Sequence, residues 1–293
     1  MAVKEFYDNH IHRYIGDSDS PATFYDKARK AGAIGGNILS LPPRSFEQDQ
    51  SLTYQNRIED ILDFCDGLEG FRPFFWIDPT EENAVEQVDY AAKAGIKGFK
   101  VLCSNHYPCD GLKAYFAIAK HNLPLLFHSG VLWDGKISSE FNRPMAFEGL
   151  MQVNSLRFAL AHVSWPWYDE CIALFGKLLS ASRGDYNEPV TCQNSMFIDT
   201  TPGTPFIYRE EVFEKIYMID YNLKERVIFG TDNNVNSFDI DNAVRWVEWD
   251  YATIKKIRES ADNRIPLPHN LPSTDEIFRK ATQENYLKFV GQD

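Results

Sequence analysis

The sequence predicts an α/β chain folded as one (β/α)8 TIM barrel over residues 1–293. Three observations carry the prediction. Eight short apolar runs recur along the chain, each trailed by an amphipathic stretch with helical spacing. They begin roughly every 30 residues, the length of one strand–helix unit. Each is continuously apolar rather than alternating, as in strands buried on both faces of a parallel sheet. Eight such units suit a closed barrel. An open doubly wound sheet usually has fewer strands and a Gly-rich first turn, which is lacking here.

The runs, in order, are EFYDNHIH near 5–12, AIGGNILSL 33–41, FRPFFWID 71–78, IKGFKVLC 96–103, LPLLFHSG 123–130, LRFALAHVS 156–164, NSMFIDTT 194–201 and RVIFGTD 226–232. The first is short, and its assignment as a strand leans on the seven units after it. Between them, SLTYQNRIEDILDFCDGL places Ile58, Ile61, Leu62 and Cys65 on one helical face. TEENAVEQVDYAAKAG starts at Thr80 as N-cap, carries acids in its first turn and stops at Gly95. YREEVFEKIYMIDYNL repeats Val212, Ile216 and Ile219 at helical spacing, and STDEIFRKATQENYLKFV opens with a capping box from Ser273 to Glu276. No Pro-, Gly- or Ser-rich run is long enough to link two domains. Pro266-Leu267-Pro268 is expected to be a local loop.

Hydrophobic content of 44% fits a chain with a sizeable core. A net charge of −12 without clustered Lys and Arg argues against nucleic acid and anionic membranes as partners. The N-terminus lacks a basic stretch leading into an apolar one, so no signal peptide is expected. No apolar run approaches a membrane span. Cysteines 65, 103, 109, 171 and 192 are odd in number and scattered, which fits reduced thiols in a cytoplasm. For the Cys103/Cys109 pair, buried thiols in a loop are favoured over a disulfide or metal site.

In such a barrel, chemistry sits where strands end and βα loops begin. Four of the seven histidines fall there: His10 and His12 on strand 1, His128 on strand 5 and His162 on strand 6. Lys100 lies on strand 4, Asp199 ends strand 7, and strand 8 runs into FGTDNN with Asp232. Residues i and i+2 of a strand share a face, so His10 and His12 can both aim into the barrel mouth. Imidazoles with a carboxylate suit zinc and its first-row neighbours, and an open position makes such a metal catalytic. Taken singly, an H-x-H doublet is a common accident, His128 reads as a satisfied core histidine and Asp232 as an N-cap. Together at four strand ends they read as a metal site.

DNHIH, FHSG, LAHVSWP and FGTDNN, in that order, resemble the amidohydrolase superfamily. The similarity is to its amidohydrolase-2 branch of metal-dependent hydrolases related to aminocarboxymuconate-semialdehyde decarboxylase. It runs from residue 8 to ATQENYLKFVG, whose Asn285 matches that branch's C-terminal helix. The resemblance implies one divalent metal, zinc first and manganese second, held by His10, His12, His128 and Asp232. It implies His162 and Asp232 as the catalytic proton-handling residues. Some branches place a Glu on strand 4, absent here; others a carboxylated lysine. A second metal through Lys100 is therefore the lesser expectation, below a lysine that binds an anionic substrate.

Arg44, Trp76, Lys100, Trp133, Arg143 and Trp165 are candidate substrate-binding residues, and the loop 129–144 a candidate lid or packed excursion. The expected activity is hydrolysis of a small amide, ester or lactone through a metal-activated water. Non-oxidative decarboxylation of an aromatic or unsaturated acid is the alternative, and a non-catalytic metal- or ligand-binding barrel the alternative from another class. The expected partner is a small molecule, with a carboxylate if the cations converge; a homo-oligomer is compatible with the sequence.

Overall fold

The computed structural model describes residues 4–46, 51–183, 193–219, 221–261 and 271–292. Among these residues nine parallel strands form one curled sheet: β1 (Phe6–His12), β2 (Ala33–Leu39), β3 (Phe71–Trp76), β4 (Gly98–Val101), β5 (Leu125–Phe127), β6 (Arg157–Leu160), β7 (Ser195–Asp199), β8 (Val227–Ile228) and β9 (Asn233–Asn234). Their order is β8-β7-β6-β5-β4-β3-β2-β1-β9. β8 pairs with β7, and β9 pairs with β1. Between them the Asn9 N–H donates to the Phe229 carbonyl at 3.1 Å. Of the predicted eighth strand, 226–232, only Val227–Ile228 pairs as a strand; the chain pairs again just beyond the run, at Asn233–Asn234, and the two short strands join the ends of the sheet to each other. The break between them has a local cause. Asp232 takes a left-handed φ of 59°, and the Thr231 N–H and hydroxyl go to the Asp8 carboxylate rather than to a neighbouring strand.

Helices α1 (Pro21–Ala31), α2 (Tyr54–Cys65), α3 (Ala84–Ala94), α4 (Leu112–Lys120), α5 (Tyr168–Arg183), α6 (Phe206–Met218), α7 (Ile240–Ala261), α8 (Thr274–Arg279) and α9 (Asn285–Val290) are interleaved with the strands and close the chain. The α2 face is as expected, with Ile58, Ile61 and Cys65 buried. α3 stops at Gly95 as read, but it starts later than expected, with Asn83 as N-cap. Thr80 is drawn off instead by Asp78, whose Oδ1 accepts both its N–H and its hydroxyl. Ser273 accepts the Glu276 N–H at the start of α8, one half of the expected box. Cys65, Cys103, Cys109 and Cys171 are free thiols. Cys192, His269 and the Pro266–Pro268 loop lie outside the described residues. No helix among the described residues is long and apolar enough to cross a membrane.

Two apolar layers result. The outer one packs strand side chains such as Ile11, Phe75 and Phe158 against helices through Phe24, Ile58, Val88 and Ile118. The inner one fills the barrel with Leu39, Phe74, Leu126, Ala159, Phe197 and Ile228, and it is completed by Tyr286, Phe289 and Val290 of α9. α9 sits at the end where the strands begin. The Arg157 guanidinium at the start of β6 donates to the Phe289 carbonyl, and Gln283 donates to the Glu5 carbonyl just before β1. Phe289 is fully buried there, and burying a side chain of that size is worth about 1.5–3 kcal/mol. The opposite end stays open.

Candidate active site

β1 carries a bulge. Asp8 pairs with Gly36 and Ile11 with Ile38, so three steps on β1 face two on β2. A strict two-residue period would put Tyr7 and Ile11 on one face, yet Tyr7 packs on the inner core and Ile11 belongs to the outer one. The extra residue shifts the phase, so Asn9 points into the barrel below while His10 and His12 both line the cavity above it.

The ligand atoms of His10, His12 and Asp232 all lie within 4.8 Å of one another. Asp232 Oδ1 is 3.2 Å from His12 Nε2 and 3.6 Å from His10 Nε2. The His162 ring centroid is 5.3 Å from that of His10 and 5.0 Å from that of His128. Asp8 clamps the arrangement: it accepts the His10 N–H, the Thr231 N–H and the Thr231 hydroxyl, tying β1 to the turn that presents Asp232. Gly230 lets the two approach, since a Cβ there would lie 2.3 Å from Thr201 Oγ1 and 3.2 Å from His10 Cβ.

Two features of these residues fit a divalent metal. His128 Nε2 is buried with no hydrogen-bond partner, a loss of about 1–3 kcal/mol in an empty protein interior. The electrostatics also favour the ligating forms. Burial, and then the charge of Lys100, pushes His10 down to about 3; burial pushes His12 down and His128 well below the usual imidazole range. Burial alone would raise Asp232, but His10 and the hydrogen bond from His12 outweigh it and hold the carboxyl well below the usual carboxylate range. Neutral imidazoles beside an ionised carboxylate are the states that bind a metal.

Lys100 is fully enclosed on β4, with Nζ 3.1 Å from His10 Nε2, and burial pushes its ammonium down to about 8.

The sequence places His162 at the end of a strand. β6 instead stops at Leu160, and His162 lies in the single tight turn Ala161–Ser164. His162, Val163 and Ser164 all adopt left-handed backbone conformations, φ 59°, 48° and 57°. For residues with a Cβ this costs roughly 1–2 kcal/mol each, most notably for branched Val163. The turn is held by the Ser129 hydroxyl bonding Ser164 Oγ at 2.7 Å and by the Thr204 hydroxyl bonding the His162 carbonyl. His162 Nδ1 sits 3.0 Å from the Pro202 carbonyl, which can only accept, so Nδ1 carries the proton and Nε2 keeps a lone pair. The ring fits because residue 203 is glycine: a Cβ there would lie 2.8 Å from Nδ1.

The cavity above this cluster measures about 200 Å³. Its walls include Tyr14, Phe46, Trp76, Leu102, Trp133 and Trp165. Trp133 and Trp165 are nearly parallel, 15° apart with centroids at 6.5 Å, and Trp165 continues to Tyr208 at 6.3 Å. The loop 129–144 is anchored at its far end, where Asn142 is buried and donates to the Cys103 carbonyl; its tip exposes Trp133 and Ile137.

Of the expected substrate-binding residues, Trp76, Lys100, Trp133 and Trp165 line the cavity, and the two arginines do not. Arg44 is exposed, and its loop presents Phe46 to the cavity instead. Arg143 is turned away by a two-pronged ion pair with Glu170 over the Trp167 ring. The site also draws on Asp8 and Asp199, which the sequence places at strand ends without giving them a role, and on Gly203, which sequence reasoning does not single out.

An α/β barrel with histidines, a carboxylate and a lysine converging at its mouth defines a metal-dependent enzyme of the amidohydrolase class. Residues 44–291 match the family model described as Amidohydrolase, and the chain belongs to that family. No curated protein sequence matches it. Among solved structures it is similar to an amidohydrolase from Burkholderia multivorans with bound HEPES, at 12% identity over 98% of this chain and 99% of that one, TM-score 0.59. It is similar to a candidate 2-pyrone-4,6-dicarboxylic acid hydrolase from Pseudomonas putida, at 12% identity over 100% and 99%, TM-score 0.58. A dihydroorotase from Campylobacter jejuni matches at 16% identity over 99% and 84%, TM-score 0.53. At these identities the structural likenesses speak to the fold.

Proposed function

We propose that this chain hydrolyses a small uncharged amide, ester or lactone, with one divalent metal, zinc before manganese, at His10, His12, His128 and Asp232. The observation that carries the choice of hydrolysis is the cation inventory: among the described residues, Lys100 is the sole Lys or Arg lining the cavity. A decarboxylase must grip a carboxylate, which calls for converging cations with bidentate geometry. Lys100 faces His10 Nε2 instead, and Arg143 is committed to Glu170.

A bound divalent ion would polarise the substrate carbonyl and acidify a water. The chain's residues supply the rest. Ionised Asp232, partly open to the cavity, accepts a proton from the attacking water. His162, fixed by Pro202 with its Nε2 lone pair free, takes or returns a proton at the departing nitrogen or oxygen. Water adds to the carbonyl carbon, the C–N or C–O bond breaks, and the proton ends on the leaving group. Trp133 and Trp165 offer ring faces to a planar substrate. A pure binding role would leave unexplained the strained turn that presents His162.

The test is an assay of the metal-loaded protein against neutral lactones, esters and amides, with 2-pyrone-4,6-dicarboxylate as a doubly charged comparator. Parallel assays monitor carbon dioxide from hydroxybenzoates and unsaturated diacids. Turnover of a neutral substrate is expected. Carbon dioxide release without any hydrolysis would reverse the assignment, and no turnover at all from replete protein would favour the binding barrel.

A further inference from the structure

A chain of polar side chains runs through the barrel interior from its closed end to the metal-ligand cluster. The Tyr286 hydroxyl on α9 donates to Asn37 Oδ1 on β2 at 2.8 Å. Asn37 Nδ2 donates to Asn9 Oδ1 on β1 at 2.8 Å, and Asn9 Nδ2 donates to Asp199 Oδ2 on β7 at 2.7 Å. The other Asp199 oxygen accepts the Thr201 N–H at 2.6 Å. The same Oδ2 lies 3.7 Å from His10 Nδ1, an electrostatic contact longer than a hydrogen bond. Tyr286, Asn37, Asn9 and Asp199 are all fully buried.

Their neighbours on the inner strand faces are Leu39, Phe74, Leu126 and Phe197. In that setting four polar groups are costly to bury unless each is bonded. Packing therefore does not explain them, since apolar residues fill the rest of the layer. What the chain delivers is a carboxylate on the Nδ1 side of His10. On the other side, Lys100 Nζ faces Nε2 at 3.1 Å. A carboxylate at one nitrogen and an ammonium at the other both favour the tautomer with its proton on Nδ1 and its lone pair on Nε2. Nε2 is the atom that faces the Asp232 carboxylate.

We propose that Tyr286, Asn37, Asn9 and Asp199 form a positioning relay that fixes the tautomer and orientation of His10, so that the seating of the C-terminal helix sets metal affinity. The relay rests on the metal reading above, and it acts through His10 without touching substrate. Groups of this kind behind a metal-bound imidazole typically govern affinity by about 10–100-fold.

The experiment compares wild type, Asp199→Asn, Tyr286→Phe and their double variant, with Tyr115→Phe as control. Tyr115 is equally buried, but its hydroxyl belongs to the outer core. Zinc dissociation constants come from chelator competition. Circular dichroism of the metal-free proteins checks the fold, and ¹⁵N NMR of the histidine rings reads the His10 tautomer without metal. Asp199→Asn should weaken zinc binding about 10–100-fold and move the His10 proton off Nδ1. Tyr286→Phe should weaken it several-fold, the double variant no more than Asp199→Asn alone, and Tyr115→Phe not at all. The relay is overturned by zinc affinity in Asp199→Asn within two-fold of wild type, by additive single effects, or by an equal loss in Tyr115→Phe. Should wild type bind no divalent ion, the metal reading fails by itself. The tautomer then decides positioning: a proton leaving Nδ1 in Asp199→Asn supports it, and an unchanged ring signal refutes it.

Discussion

Lys100 Nζ and the Asp232 carboxylate address the same atom, His10 Nε2, from 3.1 and 3.6 Å. An ammonium and a divalent ion cannot share that lone pair. Burial lowers the cost of neutralising Lys100, whose value falls to about 8. The purified protein is expected to carry one divalent ion per chain. Elemental analysis should show that His10→Ala with His12→Ala abolishes it while circular dichroism stays unchanged. Lys100→Met removes a competitor rather than a ligand, so it should retain the ion. Two ions in wild type, one of them lost in Lys100→Met, would instead make Lys100 a bridging carboxylated ligand.

His162 is expected to act on protons rather than to hold the metal, because the four proposed ligands already form a set; its Nδ1 bond to the Pro202 carbonyl aims Nε2 but does not by itself separate the two roles. His162→Asn should keep the ion and lose about 10²–10⁴ in kcat. Gly203→Ala gives an independent check: its new Cβ would meet the ring at 2.8 Å and displace it, so activity should fall with metal content intact. Equal loss of metal in His162→Asn and His128→Ala would place His162 among the ligands.

The strand–helix alternation and the histidines at strand ends are legible in the sequence because they depend on local pattern: continuous apolar runs mark buried strands, and i, i+2 spacing marks a shared face. The elements that aim the site are not. The bulge at Asn9–His10 is a matter of pairing between β1 and β2, and no residue in DNHIH announces it. The strained turn at His162 is held by Ser129 and Thr204, distant in sequence. The arginines mislead for the same reason. Arg143 sits in a loop beside the cavity, but Glu170, in the first turn of α5, captures it. Thr80 has a capping residue's chemistry, yet Asp78 claims it first.

The aromatic wall should set substrate affinity more than rate. Trp133 is 80% exposed, so truncating it removes ring contact without disturbing the core. One aromatic contact is worth about 0.5–1.5 kcal/mol, roughly a 2–12-fold change. Trp133→Ala should raise KM for a planar substrate by that factor, with kcat and thermal stability unchanged. An equal rise for a non-planar substrate of the same size would mean that the ring only excludes water.

The buried Arg209–Asp250 pair supports the floor beneath His162, and its removal should be costly in a diagnostic way. Arg209 Nε and Nη2 reach the two Asp250 oxygens at 2.5 and 2.7 Å, joining α6 to α7, and Nη2 also donates to the Thr200 carbonyl at 2.9 Å. That carbonyl begins the segment carrying Pro202 and Gly203. Phe213 and Trp246 pack on the guanidinium and keep water away. Burial is strong enough to push Asp250 up in spite of its partner. Asp250→Ala strands an unpaired charge and should destabilise the fold by about 3–5 kcal/mol in urea titrations. Replacing both partners, as Arg209→Met with Asp250→Leu, removes the stranded charge along with the attraction and should recover most of that loss. The recovered protein should still turn over more slowly than wild type, because Thr200 has lost its donor and the Pro202 carbonyl no longer holds His162 as firmly. A double variant as unstable as Asp250→Ala would show that the pair stabilises through its attraction rather than through avoidance of a buried charge.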